Sequence, residues 1–331
     1  MMRILTTPTG EPMSNRSRLS WLCIALWPLA ALAPLGACFE PALDTDEALV
    51  IGGSPTAAGE FPGVGALMYN FGGEVMAGCT GTLIAPDAVL TAAHCIDPAL
   101  TGGIVPGFSL ALDTTTGNLG TVPGRAIHPH ESFDINVTAF DGLGTFYDVG
   151  VVLLAQSITT VEPVKMPRPD QAAEIAANLD LDIVGYGRTS NQTNEVGVLF
   201  DARTKLVSLN GTEIQVGMGS PQPQNCNGDS GGPALADLGD GRRIVGIVSR
   251  SFSGVECTMG GIDTRVDAYL TWIHGKVTTG IPCGSGLAEP CDGDLPDDDG
   301  GCCSTAGRGG PGAAMLGVLV GLTLRRRRPR S

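Results

Sequence analysis

Asn227-Gly228-Asp229-Ser230-Gly231-Gly232-Pro233 is the stretch on which the fold turns. It sets one serine among glycines, with an acid immediately before it. A serine hydroxyl is a poor nucleophile until a base takes its proton. Attack then puts negative charge on the attacked oxygen, which needs preorganised donors. Glycines beside the serine let the chain turn so that backbone N–H groups face that oxygen. Gly228 and Ser230 are placed to supply two such donors, an oxyanion hole. A lone glycine-rich turn containing serine is commonplace, but the whole heptad is far more specific. It calls for a base and an acid elsewhere in the chain.

The chain has four histidines, so each can be weighed. His94, in Leu90-Thr91-Ala92-Ala93-His94-Cys95, follows an apolar run and sits among small residues that allow close packing. A histidine titrates near neutrality and is the natural general base. His128 and His130 lie in a turn, His274 near the end of a helical pattern, and all three read as structural or exposed. The acid is Asp148, in Tyr147-Asp148-Val149-Gly150-Val151-Val152-Leu153-Leu154, where it opens an apolar strand. A buried carboxylate without a partner costs several kcal/mol, roughly 2–7 for a polar group. A histidine donating Nδ1–H is a fitting partner. Asp134 and Asp141 are rivals, but neither precedes an apolar strand of this length.

Taken in the order His94, Asp148, Ser230, these residues resemble the catalytic triad of the chymotrypsin-like (trypsin-like) serine proteases. Cys79-Thr80-Gly81-Thr82-Leu83-Ile84-Ala85-Pro86 through His94-Cys95 resembles that family's histidine region, and Gly185-Tyr186-Gly187 its mid-chain Gly-aromatic-Gly, with Tyr in place of the usual Trp. Val245-Gly246-Ile247-Val248-Ser249 resembles the strand lining its substrate cleft, and Thr264-Arg265-Val266 the start of its final helix. The likeness spans about residues 50–277. It implies an all-β fold of two antiparallel Greek-key β-barrels with the active site between them and a C-terminal helix. It also implies hydrolysis of peptide bonds through an acyl-enzyme, with proteins or peptides as substrates.

The residues independently favour an all-β fold. Forty-eight Gly and 23 Pro in 331 residues suit many turns and few long helices. Short apolar runs at 64–68, 80–84, 89–91, 149–154, 183–186 and 244–248 are split by Gly, Pro, Asn and Asp, as in a sandwich or barrel. Residues 264–276 are the exception, with Val266, Tyr269, Leu270 and Ile273 at helical spacing. The expected barrels cover about 50–160 and 161–263, and the helix 264–277.

The resemblance assigns further roles. It pairs Cys79 with Cys95 and Cys226 with Cys257; each closure contributes about 3 kcal/mol in the loop-entropy picture. Val50-Ile51-Gly52-Gly53 resembles the N-terminus that family members expose on activation. Cleavage between Leu49 and Val50 would then free an amine to pair with Asp229. At the base of the specificity pocket, where trypsin-type members carry an acid, this chain has Gln224. A buried Lys or Arg side chain would lose its ion partner there, so specificity for Lys or Arg is not expected. Ser249, Ser251 and Gly261 complete the expected pocket, with Gly261 keeping it open. Arg250 and Ser251 stand where the family often has Trp and Gly.

Both ends read as addresses. Arg16 and Arg18 precede an apolar run at 19–35, as in a signal peptide over 1–37. Leu35-Gly36-Ala37-Cys38 resembles a bacterial lipobox with Cys38 lipidated; ordinary cleavage nearby, with Cys38 incidental, is the alternative. Residues 38–49 form a short acidic propeptide, and the protease domain runs over 50–280. A Gly-, Asp- and Cys-rich linker follows at 281–312, in which Cys283 and Cys291 are close enough in sequence for a small disulfide. Residues 313–331 hold a short apolar run and an arginine cluster. Together with Cys302 and Cys303 they resemble the MYXO-CTERM sorting tag of myxobacterial exported proteins; a plain tail anchor is the alternative. Export to the outside or outer surface of the cell is expected, with membrane or surface anchoring through Cys38, the C-terminal tag, or both. The net charge of −14 argues against nucleic acid as a partner. Scattered histidines and disulfide-matched cysteines offer no metal cluster, and no cofactor is expected.

Overall fold

A computed structural model of the chain describes Val50 and residues 52–116, 119–137, 142–187, 197–219, 222–226, 228–253, 259–277 and 279–289. All belong to one compact unit, Asp46–Ser331. After β1 (Ser54–Pro55) come β2 (Val64–Phe71), β3 (Glu74–Ala85), β4 (Ala88–Thr91), β5 (Gly107–Ser109), β6 (Gly124–Pro129) and β7 (Gly150–Leu154). Beyond these lie β8 (Asp180–Gly185), β9 (Phe200–Leu209), β10 (Glu213–Val216), β11 (Pro233–Asp237), β12 (Arg242–Ser251) and β13 (Gly261–Arg265). The short helices are α1 (Ala93–Ile96), α2 (Pro98–Thr101) and α3 (Leu270–Lys276).

The strands make two antiparallel sheets, in line with the expected fold. One is six-stranded in the order β5-β2-β3-β4-β7-β6 and curls until Phe108 and Val122 bridge its ends. The other runs β1-β9-β10-β13-β12-β11-β8 and closes on itself through β8 and β9. Residue patterns explain the packing. Along β9, Phe200, Ala202, Thr204 and Leu206 are buried while Arg203 and Lys205 are exposed, the alternation of a sheet with one wet face. β4 is buried throughout, because it is covered on both faces. One core cluster joins Leu67, Leu83, Leu90 and Val151 of the first sheet to Val184, Leu235 and Ile247 of the second. A second cluster fills the closed barrel, and Val50 is part of it.

The C-terminal helix is shorter than its apolar spacing predicts. Thr264 pairs with Ile247 and Arg265 with Gly246, so β13 holds the chain extended to Arg265. A 3₁₀ turn at Asp267–Tyr269 leads into α3. Beyond the helix, residues 279–289 pack back onto the protein. The buried Arg243 guanidinium donates to the carbonyls of Met166 and Gly284, each at 2.7 Å. Ser285 Oγ accepts from Met166 N, and His274 Nε2 from Leu287 N, both at 2.9 Å. His274 thus has the structural role expected of it. Among the described residues no helix is long and apolar enough to cross a membrane. The expected signal peptide, lipidation site, propeptide and C-terminal tag lie outside the described residues, as do Leu49, Cys257 and Cys291.

Candidate active site

His94 stands on α1, directly after the buried strand β4. Asp148 stands just before β7, which pairs with β4 (Thr91 opposite Gly150). That pairing sets the two side by side. Asp148 Oδ1 accepts the His94 backbone N–H at 2.9 Å, and Oδ2 faces His94 Nδ1 at 2.8 Å. The carboxylate thereby fixes both the ring and the backbone that carries it. With Nδ1–H donated to Asp148, the neutral imidazole keeps its lone pair on Nε2.

Two further hydroxyls serve Asp148. Ser249 Oγ donates to Oδ2 at 2.6 Å, and Thr264 Oγ1 donates to the Asp148 carbonyl at 3.0 Å. Both come from the second barrel, so the acid is held across the interface. Burial alone would raise the Asp148 carboxyl, but the facing His94, with hydrogen bonds from His94 and Ser249, brings it below its ordinary value. Burial alone would depress His94, and the charge and hydrogen bond of Asp148 outweigh it and raise the imidazole above 6.5. Tyr147, beside the acid, has φ +55, a left-handed conformation that is rare for a bulky residue. Its ring stacks on His130 at 5.0 Å, and Trp272 covers His130 from another side at 5.0 Å.

The serine loop comes from the second barrel and hangs on the first. Thr80 N of β3 donates to the Ser230 carbonyl at 2.8 Å, and Thr80 Oγ1 donates to the Gly228 carbonyl at 3.2 Å. Gly231 N donates to Val248 O at 2.8 Å. The glycines are dictated by space. At Gly231, φ is +78, and a Cβ would lie 2.0 Å from Thr91 Oγ1. At Gly228, φ is +99, and a Cβ would lie 2.6 Å from Gly187 Cα. Cys95 Sγ lies 3.7 Å from His94 Nε2 and 3.6 Å from the Ser230 carbonyl oxygen, so it touches histidine and serine loop alike. Among the described residues no hydrogen bond takes up the N–H of Gly228 or of Ser230.

Asp229 points the other way, into the protein. Its carboxylate accepts from Cys226 N at 2.8 Å and Gly187 N at 2.9 Å. Gly185 and Gly187 are glycines for its sake, since a Cβ on either would come within 2.5 Å of Asp229 Oδ1. Burial pushes the Asp229 carboxyl up to about 7.

Cys79 and Cys95 are joined in a disulfide, with Cα atoms 6.2 Å apart. Cys226 and Cys283 each take part in a disulfide of their own with a residue outside the described ones. Cys79, His94 and Cys95 are close enough to share a metal ion. Both sulfurs are consumed by the disulfide, so the trio has no thiolate to offer and does not fit one.

The Trypsin family profile matches residues 50–273, which run from Val50 through the first turn of α3 and contain His94, Asp148 and Ser230. The chain belongs to the trypsin family of serine proteases. It is 30% identical to chymotrypsin-like elastase family member 1 of Homo sapiens, over 72% of this chain and 95% of the human protein. Against the same protein of Canis lupus familiaris the identity is 30%, over 70% and 93% of the two chains. It is also 30% identical to CLIP domain-containing serine protease B10 of Anopheles gambiae, over 72% of each chain. The protein is a serine endopeptidase, a hydrolase acting on proteins or peptides.

Around the expected specificity pocket of this protease, the structure redistributes roles. Gln224 is buried, and its Oε1 accepts from Gly260 N at 2.5 Å. Gly261 pairs with Ser251 in the β12–β13 ladder. Ser249, expected to line the pocket, donates its hydroxyl to Asp148. Arg250 lies 4.0 Å over the Phe146 ring and forms a two-pronged ion pair with buried Glu213 at 2.7 and 2.9 Å. Sequence reasoning passed over Thr80, Thr264, Glu213, Asn225 and Asp263. Thr80 lay inside a quoted motif without a role. Asp263 sits between Ile262 and Thr264, with Arg265 beyond, and lacks the apolar run that singled out Asp148.

Proposed function

We propose that the protein is an exported serine endopeptidase made as a zymogen, with His94, Asp148 and Ser230 as its catalytic triad. The observation that carries this is the pair of hydrogen bonds from His94 to Asp148, with Cys95 Sγ lying 3.7 Å from His94 Nε2 and 3.6 Å from the Ser230 carbonyl oxygen. In this reading His94 Nε2 takes the Ser230 proton as Oγ attacks the scissile carbonyl. The N–H groups of Gly228 and Ser230 receive the oxyanion. The intermediate collapses to an acyl-enzyme as His94 returns the proton to the leaving amine. Water then repeats the sequence and frees the acid product.

Activation is cleavage between Leu49 and Val50. Val50 lies fully buried in the closed barrel, and no cation pairs with Asp229 among the described residues. A new amine at Val50 supplies that cation and stabilises the Gly228 turn next to Asp229. Gln224 offers no charge at its position, so any preference for a basic side chain has another source. Residues 1–37 direct export. Lipidated Cys38 and the tag at 313–331 anchor the protein at the membrane or cell surface, and cleavage at Leu49 severs it from the first of these.

The test is digestion of a mixed peptide library by protein starting at Val50, beside the uncleaved chain and Ser230→Ala. Internal cuts made only by the first establish the reading. Equal cutting by Ser230→Ala, or none by any of the three, refutes it.

A further inference from the structure

We infer that Asp263 is the specificity-determining residue of the pocket and that it selects substrates with Lys or Arg before the scissile bond. This rests on the endopeptidase reading above, and it relocates the charge whose absence at Gln224 argued against a basic preference.

The geometry begins with Asn225, next to Gln224. Its Nδ2 donates to Asp263 Oδ1 at 2.9 Å, and both residues are buried. Asp263 lies two residues beyond Gly261 on β13, hence on the same face of the strand. Two glycines keep space on that face. A Cβ on Gly261 would lie 3.3 Å from the Asn225 side chain, and one on Gly246 would lie 3.0 Å from Asp263 Oδ2. Across the sheet, β10 and β12 set Ile214 and Val248 opposite Asp263, so neither brings a charge. The charged group facing it is Asp229 of the serine loop, of the same sign.

Asp263 Oδ2 is buried and has no hydrogen-bond partner. An unpaired buried carboxylate is costly, and it relieves that cost by taking a proton or a cation. Burial, with Asp229 nearby, pushes the Asp263 carboxyl up to about 8, so at neutral pH it holds a proton. A guanidinium or ammonium entering past Gln224 would find Asp263 and displace that proton. It would supply the opposite charge that no described residue provides. A neutral side chain would meet instead a protonated acid satisfied on one side only.

Protein starting at Val50 is assayed on three peptides that differ only in Lys, Arg or norleucine before the scissile bond. The basic peptides are expected to exceed norleucine in kcat/KM by about 100-fold. Asp263→Asn should abolish that margin, lowering kcat/KM on the basic peptides by at least about tenfold more than on norleucine. A norleucine preference, or an equal loss on all three, overturns the inference. A second measurement needs neither catalysis nor that variant. Butylguanidinium and neutral pentanamide are titrated into Ser230→Ala, also starting at Val50, by calorimetry at pH 7 in two buffers of different ionisation enthalpy. Butylguanidinium should bind at least about tenfold tighter and release close to one proton; pentanamide should release none. Asp229, paired with the Val50 amine, would already be ionised and would not contribute. No binding, or binding without proton release, overturns the inference. Failure to cut any peptide alongside proton-releasing binding would defeat the endopeptidase reading and leave the pocket assignment standing.

Discussion

Ser249 Oγ donates to Asp148 Oδ2 at 2.6 Å, the same oxygen that faces His94 Nδ1 at 2.8 Å. Hydrogen bonds to charged groups contribute about 1.5–3 kcal/mol. Ser249→Ala should therefore lower kcat/KM by about 10- to 100-fold. KM should change little, because the hydroxyl removed is the one that Asp148 engages. Steady-state kinetics separate the two, and an effect confined to KM would place Ser249 in the pocket instead.

The rate should follow the neutral form of His94. Its imidazole lies above 6.5 because Asp148 outweighs burial, so kcat/KM should rise with pH along a limb centred above 6.5. In Asp148→Asn only the burial remains, and the limb should move to lower pH. The same change offers Nδ1 a different partner and disturbs the tautomer, so kcat should fall by about 10⁴. Full pH–rate profiles of both proteins check the direction of the shift and the size of the loss.

Asp229 predicts a stability difference between the uncleaved and cleaved chains. Its folded value, about 7, lies above the ordinary 3.8, so the folded protein holds this proton more tightly than the unfolded one. Its contribution is fully present below about pH 4 and is lost as pH rises through about 7. Pairing with the Val50 amine would remove that loss. Urea unfolding of Ser230→Ala, uncleaved and starting at Val50, should show the uncleaved chain weakening more between pH 4 and 7. Asp263 titrates in both proteins and drops out of the difference. Parallel curves would mean that the amine does not reach Asp229.

Tyr147 holds φ +55 with its ring stacked on His130. The strain of such a conformation is about 1–3 kcal/mol, and aromatic pairing offsets about 0.5–1.5 kcal/mol of it. His130→Ala should lower stability by about 1 kcal/mol. Tyr147→Gly, which relieves the strain and forfeits the stack, should come closer to neutral. Denaturant midpoints order the two; a larger loss in Tyr147→Gly would show that the stack outweighs the backbone.

Much of this site was legible because its chemistry is local. The heptad at 227–233 needs its glycines for turns and close approaches made within a few residues. His94 stands out by the small residues around it, and Asp148 by the apolar strand it opens. What the sequence left open was decided by partners distant along the chain. Apolar spacing over 264–276 is the same whether Thr264 is helical or paired with Ile247, and pairing with β12 settled it. Nothing near Ser249 in the sequence shows that its hydroxyl reaches Asp148, about a hundred residues away in the chain.

By itself, the amino-acid sequence determined the all-β class, the family resemblance and the residues able to do the chemistry, since turn glycines, short apolar runs and reactive side chains are properties of neighbouring residues. Only the tertiary structure decided what those residues touch. It hung the serine loop on Thr80, gave Asp148 hydroxyls from the other barrel, and left one oxygen of Asp263 unpartnered beside Asn225. The charge state of a buried group depends on burial and on partners brought from tens to more than a hundred residues away, and no local pattern encodes either.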